Sequence, residues 1–240
     1  LGLQMYNGFE FVNYTSLDGL VDNNIKIISC SGNGDIWIGT DFGVSQFDGL
    51  NWTTYDITNG LISNQIKSID FDIDGKVWIG TNSGVSFYNG SSWDSYSDAN
   101  SDLHWSGVNA TDFSSNGDKW YASPLGGITH FDGSNFINYD DSDGLISKYS
   151  TDLLIDDQNN KWIGTASGIS VLNATNVNII NYTKMYLLPP PDTLNPVVDI
   201  EMDNWGRIWV GIYVGYLAEG GVAYWNGDVW LDLDIQDGLA

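Results

Sequence analysis

Cysteine, basic side chains, histidine and proline are all scarce in this chain, and each scarcity narrows what it can be. Cys30 stands alone, so no disulfide can form within the chain and cysteine usage does not point to a redox compartment. Eight Lys and Arg face 31 Asp and Glu, a net charge of -23. That balance argues against nucleic acid and other polyanions, which need clustered cations to neutralise phosphates. With only His104 and His130 available, no Ser/His/Asp or Cys/His catalytic set suggests itself. No apolar run approaches the ~20 residues of a membrane span. The longest candidate, Met185 to Pro191, ends in three consecutive prolines.

What is present is a folded, aromatic-rich chain of 240 residues, 42% hydrophobic and 14% aromatic. Little Lys beside much Asp, Asn, Ser and Gly is a balance associated with secreted or periplasmic bacterial proteins. The chain starts on Leu1 rather than Met, as expected of a processed or excised piece.

Its organising feature is a repeated phrase. Asp74-Gly75-Lys76-Val77-Trp78-Ile79-Gly80-Thr81 recurs around Trp37, Trp120, Trp162 and Trp209, giving steps of 41, 42, 42 and 47 residues between tryptophans. Three positions before each Trp stands Gly34, Gly75, Gly117, Asn159 or Gly206. Six before stands Ser31, Asp72, Ser114, Asp156 or Asp203. This is hairpin grammar: a side chain that accepts from the turn backbone, then a residue tolerant of positive φ. An apolar strand a precedes each turn: 25–28, 66–69, 108–113, 151–155 and 197–202. The Trp strand is b. A Gly-led strand c follows, then a strand d marked by an aromatic, such as Trp52, Trp93, Phe136, Tyr182 or Trp230.

A four-stranded antiparallel meander repeated at this period predicts an all-β fold, a β-propeller in which neighbouring blades bury each other's faces. The repeated Trp is expected between blades. The units fall at about 21–58, 62–98, 102–142, 146–184 and 194–236, after an N-terminal half blade, 1–20, that matches strands c and d only. Asp237-Gly238-Leu239 matches the lead-in to a further strand a, so five full blades and a half belong to a six-bladed or seven-bladed parent ring, flanked by further blades or domains.

Laid out this way, the Gly-Leu-x-x-Asn lead-in and the Trp-Ile-Gly-Thr and Gly-Val-Ser-x-Phe-Asp-Gly cores resemble the two-component regulator propeller repeat over essentially the whole chain. The resemblance implies an extracytoplasmic sensor region of a Bacteroidetes-type hybrid two-component system, or a related secreted propeller. Such regions respond to oligosaccharides. It thus implies a periplasmic, extracellular or cell-surface module that binds a carbohydrate or protein ligand without catalysis. The alternatives are a structural or protein-interaction module of a surface protein and, further off, a propeller lyase or glycosidase.

Departures from the repeat mark where individual function would sit. Blade three begins Ser101-Asp102-Leu103-His104-Trp105-Ser106-Gly107, and its b–c loop is Pro124-Leu125-Gly126. Blade five has a long lead-in, 184–196, and a stretched b–c loop, 213–220. All belong to d–a and b–c connections, which a meander places at one end of its sheet. The candidate ligand contacts are Trp105, Tyr186, Tyr213 and Tyr216 as stacking platforms and Asp102, His104 and Glu219 as polar partners. The plain alternative is irregular loops, and His130, in a regular strand c position, is expected to be structural. Asp70, Asp72 and Asp74 open like a calcium loop, but the later ligand positions are Trp78 and Thr81. An ordinary capped turn is the expected role, calcium the alternative, and no other cofactor is implied.

Overall fold

A computed structural model describes the chain except residue 1, residue 90, residue 106 and segments 186–195, 214–220, 234–236 and 238–240. The described residues form 22 β-strands and no α-helix. A two-stranded sheet pairs β1 (Leu3–Tyr6) with β2 (Phe11–Tyr14). Five four-stranded antiparallel sheets follow, each with its strands in chain order. Blade one holds β3 (Ile27–Cys30), β4 (Ile36–Gly39), β5 (Val44–Phe47) and β6 (Trp52–Tyr55). Blade two holds β7 (Ile66–Phe71), β8 (Val77–Thr81), β9 (Gly84–Tyr88) and β10 (Trp93–Tyr96). Blade three holds β11 (Ala110–Phe113), β12 (Lys119–Ser123), β13 (Gly127–Phe131) and β14 (Phe136–Tyr139). Blade four holds β15 (Ser150–Ile155), β16 (Lys161–Thr165), β17 (Gly168–Leu172) and β18 (Ile179–Tyr182). Blade five holds β19 (Val197–Met202), β20 (Ile208–Ile212), β21 (Gly221–Trp225) and β22 (Trp230–Leu233). These are propeller blades. The chain divides into two compact units, 1–111 and 112–240.

Hairpin chemistry sets the blade geometry. Gly34, Gly75, Gly117 and Gly206 have φ between 76° and 93°, and Asn159 has φ 64°, as the spacing before each Trp predicts. Asp72 Oδ1 accepts from the N–H groups of Asp74 (3.0 Å) and Lys76 (2.9 Å), and Asp156 and Asp203 cap their turns in the same way. A further bond lies beyond the reach of the sequence pattern. The second oxygen of each of these carboxylates accepts the indole N–H six residues on, at 2.8 Å for Trp78, Trp162 and Trp209. Ser114 Oγ does so for Trp120 at 3.1 Å. One side chain therefore fixes both the turn and the orientation of the buried aromatic.

Blades pack through complementary shapes. A Cβ at Gly39 would fall 2.6 Å from the Cγ2 atoms of Ile27 and Ile66, and one at Gly80 would fall 2.8 Å from the Val108 carbonyl oxygen. The Gly of the repeated core is thus the hole into which the next blade's first branched residue fits. In blade three the Gly becomes Ala122 and the opposing position in blade four is Ser150, both fully buried, so the smaller knob accompanies the shallower hole.

Two strand limits differ from the pattern. In blade one strand a runs Ile27–Cys30 rather than 25–28, because Ile25 packs against Leu3, Leu20 and Ile38 ahead of it. In blade three it starts at Ala110 rather than Val108; the Val108 N–H goes to Thr81 O of the preceding blade at 2.9 Å, as the Ile66 N–H goes to Thr40 O at 3.0 Å.

Candidate functional site

The d–a connections are built by a common device, and blade three breaks it. In blades one, two and four a buried Leu (Leu20, Leu61 and Leu145) follows Gly19, Gly60 or Gly144, all at positive φ. The next N–H reaches the strand c hydroxyl: Val21 to Ser45 Oγ at 2.8 Å, Ile62 to Ser86 Oγ at 2.9 Å, Ile146 to Ser170 Oγ at 2.9 Å. In blade three Leu103 keeps the buried position but Asp102 replaces the glycine, while Thr129 donates its hydroxyl to Asn138 Oδ1 at 2.6 Å as Ser170 does to Asn181 Oδ1 in blade four. Ser101 ties the loop down instead, its N–H and Oγ both donating to Ser97 O at 2.9 and 2.7 Å. The altered path leaves Asp102, His104 and Trp105 exposed, the indole 45% so.

In the second unit Tyr213 follows β20 at the start of the b–c loop, 60% exposed, its N–H donating to Pro196 O at 3.1 Å. Tyr186, Tyr216 and Glu219 lie outside the described residues. Asp102, His104 and Trp105 thus share one loop of the first unit, and Tyr213 belongs to a loop of the second. Two of the four aromatic candidates are seen to present rings to solvent, which is the geometry a stacking platform needs.

The aspartate triplet behaves as a capped turn. Asp72 spends both oxygens on the hairpin and on Trp78, and Asp70 accepts from the Thr111 hydroxyl. Among the described residues no group of three His, Cys, Asp or Glu is placed to hold a metal ion. His130 is structural as well. It is 6% exposed, its ring stacks on Trp120 with centroids 4.3 Å apart, and Nε2 meets Asp118 Oδ2 at 2.8 Å.

The sequence pattern did not single out two half-buried acids in the first strands of blades three and four. Asp112 Oδ2 accepts from Ile155 N–H at 2.5 Å and Asp152 Oδ2 from Ile200 N–H at 2.6 Å, each tying its blade to the next. Burial pushes the Asp112 carboxyl up to about 6 and that of Asp152 up to about 7, against the pull of the backbone N–H bonds. Glu201 adds its charge to both and Asp199 to Asp152.

Residues 60–83 match the family model described as two component regulator propeller. A comparison with curated proteins finds no match. Among solved structures, the chain is similar to the extracellular domain of BT3049 of B. thetaiotaomicron, assigned to a hybrid two component system, with TM-score 0.81 and 19% identity over 99% of this chain and 32% of that one. It is similar to the extracellular domain of BT4673 of the same organism, with TM-score 0.72 and 19% identity over 88% and 31%. Virginiamycin B lyase of Staphylococcus aureus also matches, with TM-score 0.70 and 16% identity over 90% and 72%. The chain thus spans about a third of the length of the B. thetaiotaomicron domains, and these likenesses establish the propeller fold.

Proposed function

We propose that this chain is part of a non-catalytic, extracytoplasmic sensing propeller, its ligand a carbohydrate met by the d–a and b–c loops. The observation that carries the reading is the loop of blade three. It abandons the shared turn and places an exposed indole after Asp102 and His104, where blades one, two and four have Asp22, Ser63 and Ser147. Exposed Tyr213, at the start of another departing loop, supports it. The extracytoplasmic placement and the sensing role rest on the likeness to the B. thetaiotaomicron extracellular domains. The lyase likeness at 16% identity carries fold alone.

A glycan array followed by titration calorimetry tests this. One glycan class should bind, and Trp105→Ala should weaken it about tenfold or more at unchanged melting temperature, as expected when an exposed stacking contact is removed. Binding of no glycan by a folded protein would refute the proposal. Loops found to bury themselves on a protein partner would instead make this an interaction module.

A further inference from the structure

The five repeat tryptophans are not equivalent. Trp78, Trp120, Trp162 and Trp209 each donate their indole N–H to the residue six positions earlier. Trp37 has no acceptor among the described residues. Its counterpart residue is Ser31, whose hydroxyl, unlike that of Ser114 in blade three, turns away to Asn33 Oδ1 and the Asp35 carbonyl (3.0 Å). Blade one also departs on the neighbouring strand. Across from Trp78, Trp120 and Trp209 stand Phe87, His130 and Tyr224, each stacked on the indole, and across from Trp162 stands Val171, but across from Trp37 stands the polar Gln46.

Both departures open onto one cleft of about 590 Å³ in the first unit, between the hairpins of blades one and two. It lies at the end of these sheets opposite to their d–a and b–c loops. Trp37, Phe71 and Tyr88 supply aromatic wall, and Asp35, Asp74 and Lys76 supply charge. Gln46 is held in place, donating to Asp35 Oδ2 at 2.7 Å and accepting from Tyr55 O–H at 3.0 Å.

We infer that this cleft is a second ligand site, taking a small neutral polyhydroxylated molecule, a monosaccharide or disaccharide. Its hydroxyl groups both accept, from Trp37 Nε1–H and Lys76, and donate, to Asp35 and Asp74. A phosphate-bearing ligand would face two carboxylates against one ammonium, and a simple cation would leave the indole N–H without an acceptor. An apolar ligand would strip water from the same polar rim without replacing it. The site is independent of the loops at the other end of the blades.

Ser31→Asp isolates the claim. It installs the acceptor that blades two, four and five already have, so it closes the indole N–H internally while conforming to the repeat. Saturation-transfer NMR and calorimetry on the full chain would use glucose, galactose, mannose, xylose, N-acetylglucosamine, maltose and cellobiose. The expected result is binding of at least one sugar, about tenfold weaker in Ser31→Asp and in Trp37→Phe, with the melting temperature of Ser31→Asp equal to or above that of the unmodified chain. Trp105→Ala should leave this binding intact. Absence of binding by every sugar overturns the inference. So does affinity that survives Ser31→Asp, and so does affinity lost in Trp105→Ala but kept in Ser31→Asp, which would assign the sugar to the loops alone.

Discussion

The Trp78 indole N–H donates to Asp72 Oδ2 at 2.8 Å while Asp72 Oδ1 takes two turn N–H groups, so a single carboxylate couples a surface hairpin to the packing between blades. Asp72 is 8% exposed and Trp78 3% exposed, so neither loses its partner to water cheaply. Asp72→Asn keeps the shape but turns an N–H₂ group toward the indole donor. It should lower unfolding free energy by about 2 to 4 kcal/mol, the sum of a lost charge-assisted bond and a buried unmet donor. Urea denaturation checks this, with exposed Asp74→Asn as the control expected to change little.

Gly80 is the hole for Val108 of the next blade. Gly80→Ala would place a methyl group 2.5 Å from Ser68 Oγ and 2.8 Å from the Val108 carbonyl oxygen, and a backbone carbonyl does not yield as a side-chain tip does. The expected loss is about 1 to 3 kcal/mol. At Gly39 the obstruction is the Cγ2 methyl groups of Ile27 and Ile66, so Gly39→Ala should be partly relieved by Ile66→Ala, which removes one of them. A double-mutant cycle with no coupling between the two would show that this pair does not set the blade spacing.

The raised carboxyls of Asp112 and Asp152 give stability a pH dependence of definite sign. Each binds its proton more tightly when folded than at its ordinary value of 3.8, by burial first. Their contribution is therefore fully present below about pH 4 and disappears as pH rises through about 6 to 7. Stability should fall between about pH 4 and pH 7 and level off above, by at most on the order of 3 kcal/mol for Asp112 and about 4 kcal/mol for Asp152. Asp112→Asn and Asp152→Asn retain an acceptor for Ile155 and Ile200 N–H and should flatten the profile. That response separates these two groups from the general repulsion of a chain carrying -23, which a single substitution barely alters. Urea midpoints measured at each pH unit decide it.

Lys161 occupies a place where blades one, two and five carry Ile36, Val77 and Ile208. It is 1% exposed, with Nζ 4.7 Å from the centre of the Trp120 ring and 2.6 Å from Asn176 Oδ1. Burial lowers its pKa, while Asp118 and Asp156 oppose that. Lys161→Met keeps the stem and removes a buried charge, so thermal denaturation should register a change within about 1 kcal/mol. Lys161→Ala should cost about 2 to 4 kcal/mol, because it empties the space under Trp120.

Much of this architecture was legible in the chain because a propeller blade is a local object. Turn residues, period-two strands and the Trp spacing lie within about 40 residues of one another, and left-handed backbone at Gly75 or Asn159 follows from chemistry within a single hairpin. The loop departures at Asp102–Trp105 were visible for the same reason: repeats make exceptions conspicuous. Comparing the residue six before each Trp could also have marked Ser31 as an exception, but only the coordinates show that the carboxylates there hold the indole.

Tertiary structure alone decided what passes between blades. The fit of Ile66 into Gly39, the bond from Asp112 to Ile155 and the capture of Val108 N–H by Thr81 join residues some 27 to 43 positions apart, on edges that no single blade's pattern describes. Sequence determined that each meander forms and buries an aromatic, because those are nearest-neighbour energies. Which carboxyls lose water, and which indole is left facing a cleft, depend on how the next sheet lies against the first, and burial of that kind exists only after the sheets have met.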